Sequence, residues 1–373
     1  MKVGLITLSS GYNFGGSLQS FALKKILEGQ GHQVKVVNYH PVDTRLKPFW
    51  RGWGLKGRNR FSNCRRRLLE LVHLKSYRKK YDEFKRHQLD LTARCGSYSE
   101  VSEVLEEFEA IVIGSDQVWN LDYHDDPVFY LASPLDYRGG KVSYAACCGQ
   151  GSKRRDEWIK DALSDFDAIS VRNSFTKLWV EQLEISLEKE PVQVVDPTVL
   201  YDFSEIDPRD SSEPYLFVYL LSNADEKFHR RAIEKIRKRH QGKGRLKVVL
   251  AMATGIKITP FQWADEILWM LNPFEWVSWL AGASHVYTDS FHAVIFSLKN
   301  QVPVLAYYNE AIRAPRLKEL GEDFGIEAAV ISIDSDSISM AVGHEFEWKV
   351  IQSRMKESRG DSLRFLEIAL GKV

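Results

Sequence analysis

The sequence predicts an α/β protein with two Rossmann-like, doubly wound domains. The chain has 373 residues, more than the ~250 to 300 at which a single hydrophobic core stops growing. Short apolar runs alternate with helical periods in two series, and the acidic stretch 202–213 separates them. We expect an N-terminal domain over 1–205, a C-terminal domain over 206–345 and a closing helix over 346–373.

The first series begins with the apolar run KVGLITL, a loop with glycines, a helix and the strand QVKVVNY. Leu18, Ala22 and Ile26 recur every four residues and give the helix one apolar face, which ends near Gly29. The alternation continues through FEAIVIGS, KVSYAACC, FDAISVR and VQVVDPT. Because ligands bind beyond the carboxyl ends of parallel strands, functional groups are expected where these runs end.

The second series begins with EPYLFVYLL and continues with a helix over 225–240, the strands RLKVVLAM and EILWML, and a helix over 274–282. The segment HVYTDSFHAVIFSLKNQVPVLAYY then gives strand, helix and strand. The last stretch, from Glu345 to Leu370, has a helical period, and we expect it to pack back on the first domain.

Composition excludes several classes of protein. Hydrophobic residues make up 44% and charged residues 27%, which is typical of a globular chain. No apolar run approaches the ~20 residues of a membrane helix, and the N-terminal run is too short for a signal peptide, so we expect a cytoplasmic location. Metal-ligand spacing is absent from the four cysteines, Cys64, Cys95, Cys147 and Cys148, so neither a metal site nor a cofactor is predicted.

Positive charge is concentrated between Arg45 and Arg94. This segment has 16 Lys or Arg against four Asp or Glu, whereas the whole chain carries only +1. One interpretation is a solvated helical insertion; the other is a surface that attracts an anionic glycan carrier, a diphosphate or the inner face of a membrane. A nucleic-acid partner is not expected, because the rest of the chain is acidic and no recognition motif accompanies the segment.

Four polar residues interrupt the apolar segment 285–308: Thr288, Asp289, Ser290 and His292. If a helix begins at Asp289 or Ser290, His292 lies in its first turn. The positive end of a helix holds anions, and a bound multivalent anion would favour the imidazolium form of His292. This pattern predicts a general acid, although a capped helix with a structurally paired histidine is the alternative.

Other strand ends supply complementary groups. Asp116 follows AIVIGS and would orient or deprotonate a sugar hydroxyl, while Trp119 would stack on a sugar ring; a capped turn with a core tryptophan is the alternative. Arg172 ends another strand, and its guanidinium suits a phosphate or carboxylate, unless it is an ordinary surface arginine. Asp196, in VVDPTVL, is interpreted as a strand exit into a turn.

The loop GYNFGGSLQ places Asn13, Gly15 and Gly16 before a helix. It matches neither the dinucleotide fingerprint nor the P-loop. It would line a phosphate or sugar of an acceptor, and a loop without any ligand is an equally good interpretation.

Together, these motifs resemble the polysaccharide pyruvyl transferase family. The resemblance is carried by NFGGSLQ, GSDQVWN, VSYAACCG, ISVR, VVDPTVL and TDSFHAVIFSL, in that order, over roughly residues 1 to 320. It implies a glycosyltransferase B-like fold. It also implies transfer of the enolpyruvyl unit of phosphoenolpyruvate to two hydroxyls of a sugar in a glycan precursor, which forms a pyruvate ketal and releases phosphate.

By this resemblance, His292 is the acid, Arg172 binds the donor anion and Asp116 serves the acceptor. Some family members have an arginine at the position of Ser290, and Arg313 or Arg316 is a candidate replacement. The family often has Ser-Phe at positions 147 and 148, where this chain has two cysteines.

The expected partners are phosphoenolpyruvate and a nucleotide- or lipid-linked sugar. Two other functions are compatible with the same motifs: a nucleotide-sugar glycosyltransferase of this fold, and a glycan-binding protein without catalysis.

Overall fold

The computed structural model describes residues 1–40, 77–122, 125–149, 154–185, 190–222, 226–240, 244–252, 263–308, 314–334 and 337–371. Two parallel six-stranded sheets with helices between their strands form the described part of the chain. The predicted α/β fold with two parallel, doubly wound domains is therefore confirmed.

The N-terminal sheet has the strand order β2-β1-β3-β4-β5-β6, and every pairing is parallel. Its strands are β1 (Lys2–Ile6), β2 (Gln33–Val36), β3 (Ala110–Asp116), β4 (Gly140–Ala146), β5 (Ala168–Val171) and β6 (Val192–Gln193). Its helices are α1 (Phe14–Gly29), α2 (77–88), α3 (Tyr98–Leu105), α4 (Glu157–Ser164), α5 (Ser174–Glu181) and α6 (Pro197–Leu200).

The C-terminal sheet has the order β12-β11-β10-β7-β8-β9 and is also entirely parallel. Its strands are β7 (Tyr215–Tyr219), β8 (Lys247–Ala251), β9 (Glu266–Leu268), β10 (His285–Thr288), β11 (Val304–Tyr308) and β12 (Val330–Ser332). Its helices are α7 (Glu226–Arg239), α8 (Pro273–Ala281), α9 (Phe291–Lys299), α10 (Ala314–Phe324) and α11 (Ile338–Val342), followed by α12 (Trp348–Leu370). Short 3-10 turns cover Pro127–Tyr130 and Glu327–Ala329.

Helix α1 begins three residues earlier than the sequence pattern suggests. Asn13 caps it, with its side-chain oxygen accepting from Gly16 N at 3.2 Å. Gly15 and Gly16 consequently lie in the first helical turn rather than in a loop. This places their backbone at the helix end that faces the second domain.

The closing helix packs back on the first domain, as predicted. Ser362, in α12, accepts a hydrogen bond from Val195 N at 3.1 Å, and Phe365 lies 6.5 Å from the Tyr144 ring of β4. One hydrophobic cluster continues from the α1 face of the N-terminal sheet into the C-terminal sheet. The two domains therefore share a core, in which Phe14 stacks on Trp276 at 5.4 Å.

Part of the basic segment packs in this core. Residues 45–76 lie outside the described residues, but helix α2 buries Tyr77, Tyr81, Phe84 and Lys85. The described part is therefore a packed element, and the prediction of a solvated insertion is wrong for it. No helix in the described ranges is long and apolar enough to cross a membrane.

Candidate active site

Three helix starts meet where the two sheets face each other. Asn13 caps α1, Asn173 caps α5 and Ser290 caps α9, and each follows the carboxyl end of a parallel strand. The positive ends of these helix dipoles give the space between them a positive potential, which at α5 is partly offset by the Glu319 carboxylate that accepts from Ser174 N at 2.7 Å. Such a space favours an anion.

Asp196 lies at the centre of this arrangement. Its Oδ2 atom is 2.9 Å from Arg172 Nη1, 3.5 Å from His292 Nε2 and 3.3 Å from Ser115 Oγ. Its Oδ1 atom accepts from the backbone and hydroxyl of Thr198 at 3.0 and 2.7 Å. One carboxylate thus connects the guanidinium of the first domain with the imidazole of the second.

This environment determines the charge of Asp196. Burial alone would raise its pKa, but His292, Arg172 and the Thr198 hydroxyl hold the pKa well below the usual range for a carboxyl. The side chain is completely inaccessible to solvent. Asp196 is therefore a buried, ionised carboxylate, and its charged form is stabilised by its partners.

Arg172 is buried and only partly engaged. Besides its bond to Asp196, Nη2 reaches Asp116 Oδ1 at the long distance of 3.4 Å, and the guanidinium lies 4.8 Å from the Phe291 ring centroid. Across the described ranges, its Nε atom finds no hydrogen-bond partner. The Nε and Nη2 edge, which is the edge that binds carboxylates and phosphates in a bidentate way, is thus the weakly bonded one.

Burial alone would lower the pKa of Arg172, but Cys147, Asp116 and Asp196 raise it above the ordinary value. The guanidinium therefore keeps its charge. The predicted alternative of an ordinary surface arginine is wrong.

His292 is held between the two domains. It lies in the first turn of α9, as predicted, and its ring contacts the backbone of Gly15 in α1. A Cβ atom added to Gly15 would lie 2.1 Å from His292 Nδ1, so only glycine permits this approach. On the other side of the ring, Nε2 faces Asp196 without hydrogen-bond alignment.

Asp116 borders the same space from β3. Its backbone has the left-handed φ of 70°, which turns the side chain toward the first turn of α1. Asp116 Oδ2 lies 3.7 Å from the position that a Cβ on Gly16 would occupy. Asp116 is more accessible than Asp196, the other carboxylate on Arg172, since its side chain is 16% exposed against 0% for Asp196.

The polar residues of the TDSFH segment divide into two groups. Ser290 caps α9, Thr288 donates to Tyr219 O at 2.6 Å, and Asp289 accepts from Leu221 N and Ser222 Oγ at 2.6 and 2.5 Å. These three residues fix the start of α9 to the end of β7. His292 alone extends toward the neighbouring domain.

Trp119 lies away from this space, whereas Arg316 lines the same cavity as Arg172 and Asp196. Trp119 is fully buried, stacks on Tyr130 and donates to Phe129 O at 2.9 Å. It is therefore a core residue, and the prediction that it stacks on a sugar ring is wrong. Arg313 lies outside the described residues. Arg316, in α10, donates to the Gln117 side-chain oxygen at 2.8 Å, beside Asp116.

Sequence reasoning missed the role of Asp196. It follows the short strand β6 and caps the one-turn helix α6, so its sequence looks like an ordinary turn. Two features of the sequence together could have indicated this role of Asp196. Asp-Pro-Thr follows an apolar run, and Arg172 ends a strand 24 residues earlier.

Residues 13–310 match the family model described as polysaccharide pyruvyl transferase. A comparison with curated proteins finds no match. Solved structures with a similar fold include UDP-N-acetylglucosamine 2-epimerase from Rickettsia bellii, with 12% identity, a TM-score of 0.55 and coverage of 100% of this chain and 96% of that one.

Two further structures have the same fold. MnaA from S. aureus, solved with UDP, is 11% identical with a TM-score of 0.54, covering 100% of this chain and 97% of that one. UDP-GlcNAc 2-epimerase from Methanocaldococcus jannaschii is 13% identical with a TM-score of 0.51, covering 97% and 99%. At these identities the likeness concerns the fold alone.

Proposed function

We propose a reaction for this chain, which belongs to the polysaccharide pyruvyl transferase family: transfer of pyruvyl from phosphoenolpyruvate to two hydroxyls of a sugar in a glycan precursor. The observation that carries the proposal is the shared oxygen of Asp196, which lies within 3.5 Å of both Arg172 and His292. A small donor with two anionic groups would therefore contact a guanidinium and an imidazole at once.

In the proposed reaction, protonated His292 gives its proton to the methylene carbon of phosphoenolpyruvate. Asp196 is the positioning residue that holds the imidazolium through charge. The carbon that carries the phosphate then becomes oxocarbenium-like. The positive helix starts and Arg172 bind the phosphate and carboxylate of the donor.

Asp116 accepts the proton of the first sugar hydroxyl as that oxygen bonds to the electron-poor carbon. The C–O bond to phosphate then breaks, and phosphate leaves with the bonding electrons and the proton held by Asp116. The second hydroxyl bonds to the same carbon and returns its proton to His292. The sum is phosphoenolpyruvate plus a diol giving a pyruvate ketal plus phosphate.

The test combines the protein with phosphoenolpyruvate and a panel of free, nucleotide-linked and lipid-linked sugars. Release of phosphate in equal amount to a sugar whose mass has increased by pyruvate less water supports the proposal. Transfer of a sugar from a nucleotide sugar, with phosphoenolpyruvate unaltered in every mixture, would overturn it.

A pair of histidine variants separates chemistry from folding. His292→Gln is expected to reduce kcat by about 10²-fold or more, since it removes a general acid. His285→Gln is the matched control, because His285 begins β10, the strand that leads into α9, and lies at the end of that strand away from the site. Equal activity of the two variants would contradict the role of His292.

A further inference from the structure

A side chain of the C-terminal domain occupies the start of α5 in the N-terminal domain. Glu319, in α10, accepts from Ser174 N at 2.7 Å and from the Gln193 Nε2 atom at 2.9 Å. Both hydrogen bonds end on the same oxygen, Glu319 Oε1. The Ser174 N–H and the Gln193 amide therefore form a pocket for one oxygen atom, which we name the α5 oxygen pocket.

The helix gives this pocket a preference for anions. Asn173 caps α5 by accepting from Thr176 N at 2.9 Å, and this leaves the N–H of Ser174 for another acceptor. The positive end of the helix dipole lies at the same N–H. An anionic oxygen is therefore favoured in the α5 oxygen pocket over a neutral one.

Glu319 fills the pocket imperfectly. Its second oxygen, Oε2, is buried and accepts no hydrogen bond from any residue that the structure describes. A buried polar atom without a partner costs free energy, and the cost is larger when the group is charged. The contact is consequently one that a ligand with better bonded oxygens can replace.

The pocket borders the cavity that contains Arg172. This cavity has a volume of about 310 Å³, and Asn173, Gln193 and Glu319 line it together with Arg172 and Asp196. Arg172 is 6% exposed, and its Nε atom lacks a partner among the described residues, as Glu319 Oε2 does. A guanidinium edge without an acceptor and a carboxylate oxygen without a donor thus border one space.

We propose that the α5 oxygen pocket binds an anionic group of the donor, which displaces Glu319 as it enters. This inference rests on the proposed function, in which Arg172 binds phosphoenolpyruvate. One anionic group would accept from Ser174 N and Gln193, while the other contacts Arg172. A molecule with a single anionic group cannot do both, so competition by Glu319 selects for a donor with two.

The first experiment is calorimetric titration with phosphoenolpyruvate in the absence of any sugar. Glu319→Ala is expected to tighten binding about tenfold, because it removes a competitor held by a charge-assisted hydrogen bond. Glu319→Gln should tighten binding less, since its amide oxygen still accepts. Both changes have the sign opposite to that expected if Glu319 only supported the shape of the site.

Glu322→Ala is the matched control for charge. Glu322 lies on the same helix and is exposed, and its loss changes the net charge by the same amount. We expect its affinity for phosphoenolpyruvate to equal that of the wild type. Unchanged or weaker binding by Glu319→Ala, or equal tightening by the Glu319 and Glu322 variants, would overturn the proposal.

The second experiment is a double-mutant cycle with Gln193→Leu. In the wild type this change removes a donor from Glu319 and from the ligand alike, so the affinity should change little. In the Glu319→Ala background only the ligand loses a donor, and binding should weaken several-fold. An equal loss in both backgrounds would show that Glu319 and the ligand do not share the pocket.

Titrations with inorganic phosphate and with pyruvate identify the group that replaces Glu319. Tighter phosphate binding by Glu319→Ala assigns the pocket to the donor phosphate, and tighter pyruvate binding assigns it to the carboxylate; no tightening of either overturns the pocket. Since no turnover is measured, tighter binding of phosphoenolpyruvate without transfer would refute only the proposed reaction. Transfer without any change of affinity in Glu319→Ala would refute only the pocket.

Discussion

Replacing Asp196 with asparagine tests the centre of the proposed site. Asparagine has the same shape, and its oxygen still accepts the two hydrogen bonds from Thr198. Its amide nitrogen, however, faces the guanidinium of Arg172, so that Asp116, at the long distance of 3.4 Å, becomes the one carboxylate on this cation within the described residues. Removing one partner of a buried ion pair costs about 3–5 kcal/mol.

We expect a loss near the lower end of this range, because Asp116 partly compensates. For domains of this size, about 3 kcal/mol corresponds to a decrease in Tm of about 6–12 °C. Differential scanning calorimetry of the purified variant measures this directly. Asp202→Asn is the matched control, since Asp202 is exposed and accepts one backbone hydrogen bond from Ser204.

The pH dependence of the stability difference between wild type and Asp196→Asn provides a second test. The pKa of Asp196 is lowered in the folded state, so its stabilisation is complete above the unfolded value of about 4 and is lost as pH falls through the folded pKa. The difference in stability between wild type and Asp196→Asn is therefore expected to shrink as the pH falls below about 4. A variant as stable as Asp202→Asn, or a difference that increases in acid, would refute this reasoning.

Three other substitutions have defined outcomes. Gly15→Ala places a methyl group 2.1 Å from His292 Nδ1 and is expected to abolish turnover. Gly29→Ala in the same helix is the control and should retain turnover, because its added methyl group would have no atom within 4 Å. Equal rates for the two variants would contradict the contact between Gly15 and His292. Burial lowers the pKa of Lys299 to about 7, so the stability of wild type relative to Lys299→Met should rise between about pH 7 and 10 in denaturant titrations; a flat difference would disprove it. Glu319→Ala, which removes an acceptor 2.7 Å from the first N–H of α5, should lower stability by about 1 kcal/mol, and Glu319→Gln less; the reverse order in chemical denaturation would contradict this contact.

The fold was predictable because it depends on patterns that are local in sequence. Apolar runs such as AIVIG report a strand buried on both faces, and the capping residue Ser290 marks a helix start without any knowledge of the partner domain. The error at α1 arose because Gly15 and Gly16 resemble a loop. In the folded chain both glycines lie in the first turn of α1, and Gly15 packs against His292, a contact that the sequence does not show.

The site was only partly predictable, because its central contacts join residues that are distant in the chain. The sequence indicates that Arg172 and His292 end or begin regular elements, but not that both approach the same carboxylate. Trp119 shows the opposite problem, since an aromatic residue beside a strand end has the same pattern whether it faces a ligand or the core. Burial decides between these alternatives, and burial is a property of the folded chain.

The carboxylate that faces His292 follows the last strand of one sheet, whereas the imidazole itself begins a helix of the other. Attraction between opposite charges decreases with separation and decreases further when water enters. If the two domains moved apart, His292 would lose Asp196 as its counter-ion. The Arg172 guanidinium and the His292 imidazole would then no longer reach one small molecule. The relative position of the two sheets therefore sets the distances between the charged groups on which the proposed reaction depends.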